Sequence, residues 1–181
     1  MAEDFGNWWY ILSFFAVGIA QQPLLVGVSL PLCAVHIPTS SASTTDILSN
    51  DYMNYIFFIL CISAILIAES SDTTLQTFMM ENKKRVKNGR KKIPILRNGL
   101  WKYSRHPNYL GEILFWFGIF GFSLSQSLEN WWLIVFPFSM LSMFVFASIP
   151  MMDNRSLEKR EDYLEYMKET PPLLPFKLLR K

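Results

Sequence analysis

Residues 99–112 read GLWKYSRHPNYLGE, and this stretch holds the densest chemistry of the chain. A basic segment ends here, and Pro107 stands where proline is favoured, in the first turn of a helix. The helix that it predicts is largely apolar and carries Asn108 and Glu112 near its start, four residues apart on one face. A basic loop that turns into an apolar helix is typical of the edge of a membrane domain.

The composition predicts an all-α membrane protein. Of the 181 residues, 51% are hydrophobic and 15% are aromatic, whereas only 18% are charged. Such a chain is too apolar for an ordinary soluble domain. We expect a single membrane domain over residues 1–181, since the sequence shows no repeat, linker or second domain.

Four apolar stretches are long enough for membrane helices, which need about 20 residues. The predicted spans cover about residues 8–35, 52–68, 107–128 and 131–150. Residues 39–50 are polar and lack apolar periodicity, which predicts a loop outside the membrane.

The basic residues are segregated along the chain. Ten of the 17 lysines and arginines lie within a predicted loop over residues 81–106, and the other seven lie in the C-terminal tail over residues 151–181. Four spans place this loop and this tail on the same side, which the positive-inside rule assigns to the cytosol or an organellar matrix. We expect an integral protein of the endoplasmic reticulum or of an organellar inner membrane, in contact with membrane lipids.

An apolar stripe at helical spacing follows the fourth span. It consists of Leu157, Tyr163, Leu164 and Met167, with charged residues around it. The pattern predicts a C-terminal amphipathic helix on the inner membrane surface, ended by a pair of prolines.

Polar residues at the inner ends of two predicted helices are expected to face one pocket. Glu69 and Asp72 follow the second span, at about the depth of Asn108 and Glu112 at the start of the third. The basic loop and a helix N-terminus favour an anionic ligand such as a phosphorylated nucleotide. Alternatively, the cations follow the positive-inside rule and contact anionic lipid, and the aromatic residues form an interfacial belt. The sequence contains no metal-binding spacing and no phosphate-loop or dinucleotide fingerprint, and we expect no nucleic-acid partner.

The stretch from 99 to 112 resembles the signature of steroid 5-alpha-reductase-like membrane proteins, particularly of an uncharacterised branch that shares the reductases' C-terminal domain. Residues 69–78 are similar to the helix before that signature, and residues 161–163 and 175–176 are similar to the family's ending. The resemblance implies a helical membrane fold that binds NADPH on the cytosolic side and reduces a carbon–carbon double bond. It implies a cofactor pocket formed by Asp72, Tyr103, Arg105, His106, Asn108, Tyr109 and Glu112.

The chain departs from the related families in two respects. Methyltransferases with a similar motif, which use S-adenosylmethionine, carry a Glu-Glu pair after the last span, where this chain has Asp153 and Asn154. The reductases have additional N-terminal helices, which supply the proton donor in the steroid enzymes and which we do not expect in this chain. No catalytic residue is therefore carried over.

Two functions stay open on this sequence. The first is NADPH-dependent reduction of a double bond in a lipid or isoprenoid enone. The second is that of a non-catalytic accessory subunit, which retains the reductase fold within a larger membrane complex such as an organellar respiratory complex.

Overall fold

The computed structural model describes residues 26–27, 29–33, 44–160 and 162–173. Within these residues every regular element is helical and there is no strand, which confirms the all-α prediction for the described part. Most of the predicted span over residues 8–35, and the tail beyond residue 173, lie outside it. The principal helices after residue 43 are α1 (Thr44–Lys87), α2 (Pro107–Gln126), α3 (Val135–Met143), α4 (Ile149–Lys159) and α5 (Tyr163–Glu169).

α1 begins earlier than the sequence predicted. The prediction of a loop over residues 39–50 is wrong for residues 44–50, which are helical, and its first five residues lie outside the described part. Threonine, serine and aspartate are favoured at helix N-termini, where short polar groups satisfy free backbone N–H groups. A polar sequence without apolar periodicity is therefore compatible with the start of a helix.

α1 also ends later than predicted. The prediction of a basic loop over residues 81–106 is wrong for residues 81–87, because these residues are helical and Lys87 is the last residue of α1. Glutamate, glutamine, methionine, lysine and arginine are strong helix formers, so the helix continues where the apolar sequence stops. The turn that follows contains Gly89, whose φ of 69° is left-handed. There the backbone N–H groups of Gly89 and Arg90 donate to the carbonyls of Val86 and Arg85, a common helix ending.

Glycines bring α2 against α1. A Cβ added to Gly111 would lie 2.7 Å from the carbonyl oxygen of Ala64, and one added to Gly118 would lie 2.4 Å from Sγ of Cys61. Only a residue without a side chain allows the two backbones to approach so closely. This contact places the N-terminal end of α2 beside the middle of α1.

Two helical stretches are long and apolar enough to cross a membrane by length and composition. They are Tyr52–Lys87 and Leu128–Lys159, and they contain the predicted spans 52–68 and 131–150. In the most apolar 18 residues of each stretch, only 11% and 28% are buried, whereas the core helix of a soluble protein is mostly buried. These features indicate a membrane protein. α2 is not one of the two, so the predicted count of four spans is not confirmed.

The second apolar stretch is irregular in the middle. A 3-10 helix over Leu128–Ile134 precedes α3, and a π-helix over Phe144–Ser148 joins α3 to α4. Pro150 has no backbone N–H and cannot complete the regular α-helical bonding at this point. Because a π turn holds an extra residue, it rotates the following helix by about 100°. Asp153 of α4 is 5% exposed and faces the interior.

The predicted C-terminal amphipathic helix is divided. α4 ends at Lys159, Arg160 is extended, and α5 begins at Tyr163. The prediction that Tyr163 belongs to a surface stripe is wrong, since its side chain is 4% exposed and packs with Ile95 and Tyr166. Leu164 remains exposed. The hydroxyl groups of Tyr163 and Tyr166 donate to partners in the interior, which a continuous helix on the membrane surface would not contact.

Candidate functional site

The turn before α2 is fixed to α1 and α5. Gly99 has a φ of 59°, which favours glycine, and it begins the 3-10 helix Gly99–Lys102. Trp101 Nε1 donates to the carbonyl of Ser71 on α1 at 3.0 Å. The hydroxyl of Tyr166 on α5 donates to the carbonyl of Trp101 at 2.5 Å. The turn is therefore held from two sides before α2 begins.

A buried carboxylate collects three donors behind this turn. Arg105 Nη2 donates to Asp153 Oδ2 at 2.9 Å, and His106 Nε2 lies 3.0 Å from Asp153 Oδ1. The hydroxyl of Tyr163 donates to the same Oδ1 at 2.7 Å. Arg105 and His106 are each 7% exposed. The charges of Arg105 and Asp153 compensate each other across this buried pair.

The same two residues bind the C-terminal segment through their backbone. The N–H groups of Arg105 and His106 donate to the carbonyls of Pro171 and Pro172 at 2.9 and 3.0 Å. Arg105 Nη1 donates to the Met167 carbonyl at 3.1 Å. We call Arg105, His106, Asp153 and Tyr163 the buried polar cluster, which joins the start of α2 to α4 and α5.

Burial changes the acidity of the two α5 phenols. It raises the pKa of Tyr163, with a further increase from its hydrogen bond to the Asp153 carboxylate. Burial also raises the pKa of Tyr166 to about 12. Both phenols therefore stay protonated at physiological pH and remain hydrogen-bond donors to their partners.

A stack of aromatic rings leads from the buried polar cluster to an open groove. The His106 and Tyr109 rings are almost parallel, at 6°, with centroids 5.2 Å apart. The other neighbour of Tyr109 is Phe144 of the π turn, at 4.6 Å. Phe144 belongs to an apolar core with Ile113 and Met140. Tyr109 is thus held by rings on one side of the groove.

The groove lies between α1 and α2 and has a volume of about 420 Å³. This size is within the range of small-molecule sites. Its polar side chains belong to Glu69, Asp72, Asn108, Tyr109 and Glu112. The rest of the lining is apolar or glycine: Ala64, Ile65, Ala68, Gly111 and Phe115. Since Gly111 contacts Ala68 and Gly118 contacts Cys61, the two helices are antiparallel. The lining is therefore polar at the end with Asp72 and Asn108 and apolar at the other end.

The polar end is rich in hydrogen-bond acceptors. Glu69, Asp72 and Glu112 each carry a carboxyl group, and the amide oxygen Oδ1 of Asn108 is buried without a hydrogen-bond partner among the described residues. A buried acceptor without a donor is costly. The groove is suited to a ligand with hydroxyl or amide N–H groups, and no Lys, Arg or His is among its lining residues.

The structure divides the residues that the resemblance assigned to a cofactor pocket. Asp72, Asn108, Tyr109 and Glu112 line the groove together with Glu69. The other three do not line it. Arg105 and His106 are turned to Asp153, and Tyr103 is 58% exposed, with Lys102 Nζ 5.9 Å from its ring centroid.

The sequence did not identify Asp153 and Tyr163 as members of a polar cluster with Arg105 and His106. Asp153 was interpreted as a departure from related families, and Tyr163 as part of an apolar stripe and of a segment similar to the family's ending. A signal was available in the predicted topology, which placed Arg105 and Asp153 on the same side of the membrane at the ends of two spans. Opposite charges at that depth tend to pair.

The chain belongs to a family of proteins of unknown function, DUF1295, whose profile matches residues 1–170. Neither the curated proteins nor the solved structures include a significant match. The matched range includes all residues of the groove lining and of the buried polar cluster.

Proposed function

We propose that this protein is a membrane-embedded reductase of the steroid 5-alpha-reductase-like type, which uses NADPH to reduce a double bond in a lipid or isoprenoid enone. Its groove between α1 and α2 receives the nicotinamide end of the cofactor. The observation that carries this proposal is the acceptor-rich polar end, in which Asn108 Oδ1 is buried without a partner. The apolar end suits a lipid substrate.

The lining fits one part of a reduced dinucleotide. Asp72, Asn108 and Glu112 would accept hydrogen bonds from ribose hydroxyls and from the carboxamide N–H groups. The phosphates would need cations from outside the lining, such as exposed lysines of the turn after α1. When bound, the cofactor supplies a hydride. The chain's own residues hold and orient it, and the proton donor of the reaction is unassigned.

Calorimetry with purified protein tests the proposal. We expect NADPH to bind, and Asp72→Ala and Asn108→Ala to weaken binding about 3- to 10-fold each, the equivalent of one hydrogen bond. Gln76→Ala is the matched control, because Gln76 lies one turn beyond Asp72 on α1 and is not part of the lining. The proposal fails if NADPH does not bind at millimolar concentration.

A second candidate is a non-catalytic accessory subunit of a larger membrane complex. It is favoured by the buried polar cluster, in which two residues of the motif, Arg105 and His106, stabilise the fold and do not face the groove. For such a subunit, packing alone explains why residues 99–112 still resemble the reductase signature. Blue-native electrophoresis of gently solubilised membranes is the test. Migration in a large complex supports this candidate, and migration only as a small free species counts against it.

A further inference from the structure

The buried polar cluster and the groove meet at one ring contact, between His106 of the cluster and Tyr109 of the groove. Asp153 does not line the groove, yet it holds the imidazole of His106 at 3.0 Å. That imidazole is parallel to the Tyr109 ring, and Tyr109 is part of the groove wall. Two contacts thus connect a buried carboxylate on α4 with the wall of a groove between α1 and α2.

We infer that Asp153 is a positioning residue for the groove, acting through the orientation of His106 on the ring of Tyr109. Asp153 Oδ1 is the acceptor that fixes the rotation of the imidazole, and the stacked imidazole covers one face of the phenol ring. Without this acceptor, His106 loses its preferred ring orientation and Tyr109 loses a fixed neighbour. The inference rests on the groove of the proposed function, but not on which ligand occupies it.

The other contacts of Asp153 do not lead to the groove. Tyr163 donates to the same oxygen but belongs to α5, and Arg105 binds the other oxygen and the Met167 carbonyl. Removal of the Tyr163 hydroxyl should therefore lower stability and leave the groove as it was. This difference separates a positioning role from a purely structural one.

The test uses 19F NMR of the full chain labelled with 3-fluorotyrosine. The chain has seven tyrosines, so the spectrum is simple, and Tyr109→Phe assigns the Tyr109 resonance. Asp153→Leu is close to aspartate in size and removes both acceptor oxygens, and His106→Gln removes the stacked ring. We expect both to shift or broaden the Tyr109 resonance. Tyr163→Phe and the surface variant Asp162→Asn should leave that resonance unchanged.

Two results would overturn the inference. One is an unchanged Tyr109 resonance in folded Asp153→Leu protein. The other is an equal change in Tyr163→Phe, which would mean that Tyr109 reports only general loosening of the cluster. If Asp153→Leu fails to fold, Asp153→Glu keeps the charge but displaces the acceptor oxygen, and the same change of the Tyr109 resonance is expected.

Calorimetry then separates this inference from the proposed function. If NADPH binds the wild type, Asp153→Leu should weaken binding about 3- to 10-fold, whereas Tyr163→Phe should not. If the wild type does not bind NADPH, the proposed function fails while the NMR result still decides whether Asp153 positions Tyr109. The two failures are therefore distinguishable.

Discussion

Gly111→Ala should loosen the contact between α1 and α2 and change the groove with it. The added Cβ would lie 2.7 Å from the Ala64 carbonyl oxygen, 2.8 Å from the Ala68 nitrogen and 2.9 Å from the Ala68 Cβ. Ordinary van der Waals contact begins at 3.4 Å, and two of these three atoms are backbone. Side-chain rotation cannot relieve this overlap, so the helices themselves must separate.

The expected cost of this change is that of overpacking, about 1–3 kcal/mol. Gly121→Ala is the matched control, because the three atoms nearest to its Cβ all belong to the ring of Phe57, the closest at 2.2 Å. That ring is partly exposed and can rotate away. Equilibrium unfolding in mixed detergent micelles compares the two variants. The reasoning is refuted if Gly121→Ala is as destabilising as Gly111→Ala.

The remaining predictions concern the contacts around the motif, and the same unfolding experiment measures each of them. Arg105→Ala leaves the buried Asp153 carboxylate without its counter-charge, and we expect a loss of about 3–5 kcal/mol; a loss below 1 kcal/mol would contradict a buried pair. Trp101→Phe removes the donor to the Ser71 carbonyl, and the expected loss is about 1 kcal/mol. An unchanged stability would show that water replaces this bond. Gly89→Ala forces a side chain into the left-handed region in otherwise open space, at a cost of about 1–2 kcal/mol, and a neutral result would mean that α1 ends elsewhere.

The sequence predicted features that depend on local chemistry. Pro107 marked the start of α2, and the structure begins that helix at the same residue. The spacing of Asn108 and Glu112 put both on one face, and both line the groove with Glu69 and Asp72. Each of these follows from helical periodicity and from the order of the apolar stretches.

Features that depend on tertiary contacts were not predictable in the same way. The role of Arg105 was set by a carboxylate 48 residues away, on a helix that follows a π turn. The N-terminal and C-terminal ends of α1 were misjudged because apolar periodicity locates a membrane span and not the full helix. Tyr163 appeared to be a surface residue because its polar partner lies on another helix.

A structure of the protein determined in the presence of NADPH tests the central claim most directly. The account predicts cofactor density in the groove between α1 and α2, with donor groups next to Asn108 Oδ1 and the carboxylates of Asp72 and Glu112. Lipid or a neighbouring protein chain in that groove, with NADPH absent or bound elsewhere, would contradict it.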